Sequence, residues 1–505
     1  LAAACCAVRR SWEVLRRLAA QAESQTGAQA EAQVFTPGVA GQITSCKISG
    51  DKQNVEIGFS SSGDVTGTDG NIYVFEMQPY EEELGSRSNF IASSPALSAA
   101  SVSVPLNLGT PQDKLYSRFV LAVFDGTRFI KVSQPHYITN PELIAKNQTP
   151  FNDPLTKKGL VIEIDMLSDA FDLGVKHVTT NIAFSQIMGT GIDYQYDGKT
   201  YHFNKGVVDA YDKTISALSN KGMTVTVILL NDWNPNTPDL VYPGTQKNSN
   251  AFYYMFNAET EAGFDQTKAI ASFLAQHYSG DNPNYGKVSN WIIGNEINNQ
   301  QWNYMGPMDL TNYVKAYQKA FRVIYTAIKS TNANDRVYFS LDYNWMNEID
   351  GKLKYGGKEI VDSFNSIANT QGQMDWGLAY HPYPCPMTEP EFWDDPQSTG
   401  LFTNDFNSPV INFANLKRAD RLLCAGYPEG ARRQMCATSS LRSRASHPTA
   451  LPGETFRRFR RRPMLTPITW WTATPYIDAY TVSRQVDAPS EAKDGLKIRS
   501  VGSAT

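Results

Sequence analysis

Two short strings hold the side chains best suited to moving a proton. The first, Trp291-Ile292-Ile293-Gly294-Asn295-Glu296-Ile297-Asn298, brings a carboxylic acid straight out of an apolar run. The second, Ala379-Tyr380-His381-Pro382-Tyr383, brings an imidazole and a phenol out of another. An acid leaving a core strand sits in the apolar setting that lets one carboxyl hold a proton near neutral pH while a second stays ionised. Asn295 adds a neutral donor beside it rather than a cation. Other apolar runs end in a similar way. One carries Asn181, another ends Asn231-Asp232-Trp233, another Asp342-Tyr343 with Trp345 close by, and the last Ser483-Arg484-Gln485-Val486-Asp487. Glu163 and Asp165 alternate with apolar residues in the first run and read as a polar layer on its inner face. Taken alone, an Asn-Glu pair is equally a helix-start Glu beside an Asn cap. No His-Glu-x-x-His, Gly-rich phosphate loop or Gly-x-Ser-x-Gly occurs, so metalloprotease, nucleotide-binding and serine-hydrolase readings lack support.

The order of the runs gives these ends their meaning. From about Val34 to Tyr137 the pattern is short and alternating (ITSCKIS, NVEIGFS, NIYVFEM, SVSVPLNL, RFVLAVFD, FIKVSQ), broken by Ser-Gly-Asp and Asp-Gly turns. It reads as a β-sandwich of about seven strands over residues 35–140. After Asn140-Pro141 the period changes. Apolar runs at Leu160–Ile164, His177–Ala183, Thr224–Leu230, Val288–Gly294, Val337–Leu341, Trp376–Tyr380 and Ile477–Ser483 alternate with stretches of helical spacing at Val207–Ser219, Thr267–His277 and Tyr313–Ile328. That is the signature of strand–helix units on a parallel sheet, and eight of them close into a barrel with its chemistry at the C-terminal strand ends. The expected fold class is α/β: a (β/α)8 TIM barrel over 150–505, preceded by a small all-β sandwich domain.

Composition narrows the class further. The chain has 505 residues, 41% hydrophobic and 19% charged, with a formal net charge of -4. A nucleic-acid partner, which calls for a basic face, is not expected, and no apolar run is long enough for a membrane span. The six cysteines are scattered or lie in atypical segments, so neither a disulfide framework nor a zinc site is indicated, and no cofactor is expected. Residues 1–34 are rich in Ala, Arg and Gln and read as a leader or disordered segment, and Leu1 at the start reads as a fragment.

An apolar fourth strand ending in Asn-Glu, with a sixth ending in His-Pro-Tyr, resembles the large clan of retaining glycoside hydrolases on (β/α)8 barrels. The stretches 35–417 and 475–497 resemble an uncharacterised family of bacterial secreted proteins assigned to that clan. The resemblance implies that Glu296 is the general acid/base, that Asn295 hydrogen-bonds a sugar 2-hydroxyl, and that Tyr383 supports a nucleophilic Glu ending the seventh strand. It implies a polysaccharide or oligosaccharide substrate and a secreted or cell-surface location. His381, Asn181, Asn231, Asp342, Arg484 and Gln485 then read as substrate-binding, and Trp233, Trp302, Trp345 and Trp393 as faces on which pyranose rings could stack. Two other classes stay open: a non-catalytic carbohydrate-binding or surface protein on the same scaffold, and a barrel lyase or esterase.

The seventh strand is where the text departs from the pattern. Retaining hydrolysis needs two carboxyl groups about 5–5.5 Å apart, yet no acid occurs from Ala431 to Gly453. Residues 418–474 hold 11 Arg and no Lys, whereas the 400 residues from Leu18 to Lys417 hold only 5 Arg. A reading-frame error would account for this, the alternative being a genuine Arg-rich insertion that forms a disordered loop. Written in permitted codons and read one frame along, residues 438–446 become Ile-Ile-Leu-Thr-Glu-Gln-Gly-Phe, with the nucleophile's codon straddling Arg442 and Ser443. The tail after residue 497 reads as a second slip. As written, the chain is left with seven strands, unpaired edges and no nucleophile. Resequencing the DNA across codons 415–478 is expected to show the slip; one uninterrupted, unshifted frame in independent reads would rule it out.

Overall fold

The computed structural model describes residues 41–383 apart from 62–66, 163 and 348. Beyond these it describes 385, 401, 403, 407–412, 415–416 and the strands 435–439 and 477–482. Eight parallel strands close into a barrel in chain order: Lys158–Val161, His177–Ala183, Thr224–Leu230, Asn290–Ile293, Arg336–Leu341, Trp376–Tyr380, Met435–Ser439 and Ile477–Val482. The second, third and sixth match the sequence expectation residue for residue. The others shift by a few positions at their ends, where fraying and turn hydrogen bonds compete with the ladder.

Two expectations are corrected. The barrel does not stop at seven strands with open edges, because Met435–Ser439 pairs the sixth strand (Ala379 with Cys436, Tyr380 with Ala437) and the eighth (Thr438 with Thr481). Five extended residues suffice for that ladder whatever text surrounds them. The first strand ends at Val161, and Asp165 lies exposed in a 3-10 turn, Ile164–Met166, rather than on an inner polar layer. Glu163 lies outside the described residues, as do Trp393, Arg484, Gln485 and the Arg442/Ser443 position.

Alternation sorts each strand's side chains. Ile228, Leu230, Ile292, Tyr338, Ala379 and Ala479 meet inside the barrel, while the outward residues of the same strands join the larger core under the helices. Three of those helices were expected: Lys205–Ser219, Glu261–His277 and Leu310–Thr331. Each opens on a side-chain cap, from Asn204, Thr260 and Asp309, which satisfies a free N–H of the first turn. A fourth, Gly357–Gln371, was not read from the sequence. Nor was the hairpin Gly191–Tyr196/Lys199–Asn204, whose two-residue turn places Asp197 and Gly198 at φ of 52° and 71°, the twist that closes a tight hairpin.

The N-terminal strands form two antiparallel sheets, one of three strands and one of five. Both contribute to one apolar cluster, including Ile43, Ile57, Val74, Phe119 and Leu121. Glu82, from the loop following Asn71–Met77, reaches the barrel. The buried Lys319 ammonium on helix Leu310–Thr331 lies 2.8 Å from Glu82 and 2.5 Å from Glu259. Burial alone would push the Glu82 carboxyl up, but Lys319 and its cationic neighbours bring it down to about 2. Replacing Lys319 by Ala strands Glu259 and Glu82 without their cation. The expected loss is about 3 kcal/mol of unfolding free energy, the low end for a broken buried pair because Glu82 is half exposed. Denaturant unfolding at neutral pH measures it, and an unchanged midpoint would contradict this account of the contact.

Candidate active site

The fourth strand stops at Ile293, and the chain turns over Gly294 and Glu296, both left-handed at φ of 76° and 43°. A non-glycine residue in that region is strained and is kept there only if its surroundings over-determine it. The fifth strand does so. The Glu296 amide donates to Ser340 Oγ at 2.7 Å, and the Ile297 amide donates to the Ser340 carbonyl at 2.9 Å. The Ser340 hydroxyl in turn donates to the Gly294 carbonyl at 3.3 Å. One buried serine thus holds both sides of the turn.

The turn delivers Glu296 to the sixth strand's end. Its side chain is buried, with the residue 5% exposed. His381 Nδ1 lies 2.7 Å from Glu296 Oε1, and the Tyr383 hydroxyl donates to the same oxygen at 2.5 Å. An ionised carboxylate only accepts hydrogen bonds, so against it the His381 proton belongs on Nδ1. Among the described residues nothing donates to Glu296 Oε2, and the buried His381 Nε2 has no partner. Two donors therefore fix one oxygen, and the other has no donor among the described residues.

Asp342 forms the floor of this group. It is buried, and its Oδ1 accepts from Asn298 Nδ2 at 2.6 Å and the Asn344 amide at 2.9 Å, while Oδ2 accepts from Asn344 Nδ2 at 3.0 Å. Burial first, and the nearby Glu296 charge second, push its carboxyl up to about 6. These contacts anchor the loop that follows the fourth strand, with Oδ2 accepting a single hydrogen bond.

The other expected residues divide. Asn181 is exposed and pairs in register with Ile228 of the interior cluster, so it faces the lumen. Asn295 and Trp233 are half-buried near the mouth, Trp233 leaning on Tyr254 at 5.3 Å. Asn231 is buried and its amide donates to the Leu240 carbonyl at 2.8 Å, which makes it a clasp for its own loop. Trp345 is fully buried against Tyr380 in the core and presents no open face. Trp345 and Asn231 thus both sit in buried surroundings, with Asn231 Oδ1 left without a partner. Ser340, Asn298 and Asn344 escaped the sequence reading. The signal for Ser340 was there, because residues 338, 340 and 342 share the inward face of one strand.

Residues 150–440 match the family described as "Family of unknown function (DUF5722)". The chain belongs to that family. No curated protein matches it in sequence. Solved structures to which this DUF5722 chain is similar include the beta-glucuronidase of Bacteroides uniformis, at 9% identity over 92% of this chain and 47% of that one, with a TM-score of 0.35. Another is the family 1 beta-glucosidase of Thermotoga maritima, at 14% identity over 64% of this chain and 77% of that one, with a TM-score of 0.37. The chain spans about half the length of the glucuronidase. The barrel of the DUF5722 chain is defined by its own strand pairing.

The raised Asp342 carboxyl has a measurable consequence. Between about pH 4 and 6 the folded chain keeps a proton that the unfolded chain has released, so stability falls as pH rises through that window and stays lower above it. A shift of about 2 units corresponds to about 3 kcal/mol. Wild type is expected to lose that much more unfolding free energy between pH 4 and 7 than Asp342→Asn; parallel pH profiles would contradict the assignment.

Proposed function

We propose that this chain descends from retaining glycoside hydrolases: a secreted enzyme with a β-sandwich at 35–140 and a (β/α)8 barrel at 150–505, acting on a polysaccharide or oligosaccharide. Glu296 is its acid/base, with Asn295 and His381 on the substrate side. The observation that carries the reading is the convergence of His381 and Tyr383 on Glu296 Oε1 at the C-terminal end of a closed parallel barrel. That is the end at which barrel enzymes work.

In this reading Glu296 protonates the departing glycosidic oxygen through Oε2 and later takes a proton from water at the same atom. Its fixed Oε1 keeps the acid aimed while charge changes on the group. Tyr383, which here donates to Glu296, is expected to turn toward the nucleophile once a carboxylate ends the seventh strand. As written that strand ends in Thr438 and Ser439, which follow the Tyr380–Ala437 pair and so lie level with the His381–Tyr383 segment. Neither is an acid, and the expected Glu position, straddling Arg442 and Ser443, follows that end and lies outside the described residues. The family match also stops at residue 440, inside the Arg-rich window, in keeping with a break in the frame there. These features favour a second reading for the chain as written, a carbohydrate-binding barrel without catalysis.

The test compares three proteins on aryl glycosides and polysaccharides: the chain as written, the chain expressed from a gene whose frame is corrected across codons 415–478 so that it reads Ile-Ile-Leu-Thr-Glu-Gln-Gly-Phe, and that restored chain carrying Glu296→Gln. Turnover is expected only from the restored chain, with Glu296→Gln lowering kcat by about 10²–10⁴-fold. Equal turnover by the written and restored chains would sink the nucleophile assignment; undiminished turnover by Glu296→Gln would sink the acid/base assignment.

A further inference from the structure

The loops after the third and fourth strands are zipped together above the barrel. The Phe252 amide donates to the Gln301 carbonyl at 2.8 Å, the Tyr304 amide to the Tyr253 carbonyl at 2.9 Å and the Met255 amide to the Tyr304 carbonyl at 2.9 Å. This backbone ladder lines up three rings. Phe252 stacks on Trp302 with centroids 4.7 Å apart and planes at 21°, and Tyr253 leans on Trp302 at 6.3 Å and 32°. Tyr253 packs down onto the interior cluster of Ile228, Leu230 and Ile292. At the other end Phe252 is 56% exposed. The strip therefore runs from the barrel's lumen to solvent, and its outermost member is a large apolar ring that the fold does not bury.

Its distance from Glu296 is bounded by the chain itself. The Asn299 amide donates to the Glu296 carbonyl at 2.8 Å, and the Trp302 amide to the Asn299 carbonyl at 2.9 Å. Two successive turns, each spanning less than about 7 Å between end Cα atoms, put Trp302 within roughly 14 Å of Glu296. The side chains flanking the rings in sequence are mostly amides, Asn248, Asn250, Asn299 and Gln301. Rings offer an apolar face and amides offer donors and acceptors, the mixture that suits a ligand both apolar-faced and hydroxylated.

We propose that Phe252 and Trp302 form a binding platform for a neutral pyranose ring of a glycan chain, one or two units from the bond at Glu296. The proposal rests on the glycosidase reading for the meaning of that bond, and it makes the substrate an oligosaccharide or longer chain rather than a single sugar. Neutrality follows from the charge beside the strip. The Tyr254 amide donates to the Asn231 carbonyl at 2.8 Å, which sets the Asp232 carboxylate beside Tyr253, where it repels a uronate.

The experiment uses the full-length chain in its Glu296→Gln form, so that binding is read without turnover. Tryptophan fluorescence is titrated with cellotetraose, xylotetraose and mannotetraose, alongside the same chain carrying Phe252→Ala or Phe252→Trp. At least one tetrasaccharide is expected to shift the emission, with Phe252→Ala weakening its binding by about tenfold, the size of one lost aromatic contact, and Phe252→Trp restoring it. Circular dichroism checks that the variants fold, which substitution of an exposed ring leaves intact. No response to any of the three sugars, or equal affinity in Phe252→Ala, overturns the platform. Ring-dependent binding by a protein whose restored form hydrolyses nothing would keep the platform and reject the hydrolase; hydrolysis with binding indifferent to Phe252 would do the reverse.

Discussion

The hold of Ser340 on the Gly294–Glu296 turn is the contact on which the rest of the site depends. Without it the fourth strand has no reason to leave its ladder in a left-handed bend, and Glu296 would continue along the barrel wall. With it, the acid swings toward the sixth strand and meets His381 and Tyr383 on one oxygen. The strain at Glu296 is local, and three hydrogen bonds to a single residue of the neighbouring strand hold it. That economy is possible because parallel strands in a closed barrel end at the same level, so residues 44 and 85 positions apart in the chain become neighbours.

Much of this was legible in the residues. Continuous apolar runs such as Thr224–Leu230 and the alternation of 338, 340 and 342 follow directly from burial on two faces or one. Strand order then brought Glu296, His381 and Tyr383 together on paper before the structure did. What stayed hidden was direction after the strand. Trp345 and Asn231 follow their strands just as Trp233 does, yet one packs into the core and another clasps its own loop. Loop path depends on long-range contacts that no local pattern encodes. The helix Gly357–Gln371 went unread although Ile360, Val361, Phe364, Ile367 and Ala368 share one face; it lacks a side-chain cap at its start.

The seventh strand is the point of tension. A closed barrel needs only an extended backbone there, and Met435–Ser439 supplies one. A retaining glycosidase needs a carboxylate at its end, and the written residues supply none. Closure and chemistry make separate demands on one segment, so a closed barrel does not by itself supply the second carboxylate.

The measurement that bears most directly on this account is covalent trapping. The chain with its seventh strand restored would be treated with a 2-deoxy-2-fluoro aryl glycoside that it turns over, then digested and mapped by mass spectrometry. The account predicts one sugar bound to the restored glutamate whose codon straddles Arg442 and Ser443, with Glu296 unlabelled. A label on Glu296, or hydrolysis with inversion and no trapped intermediate, would contradict it.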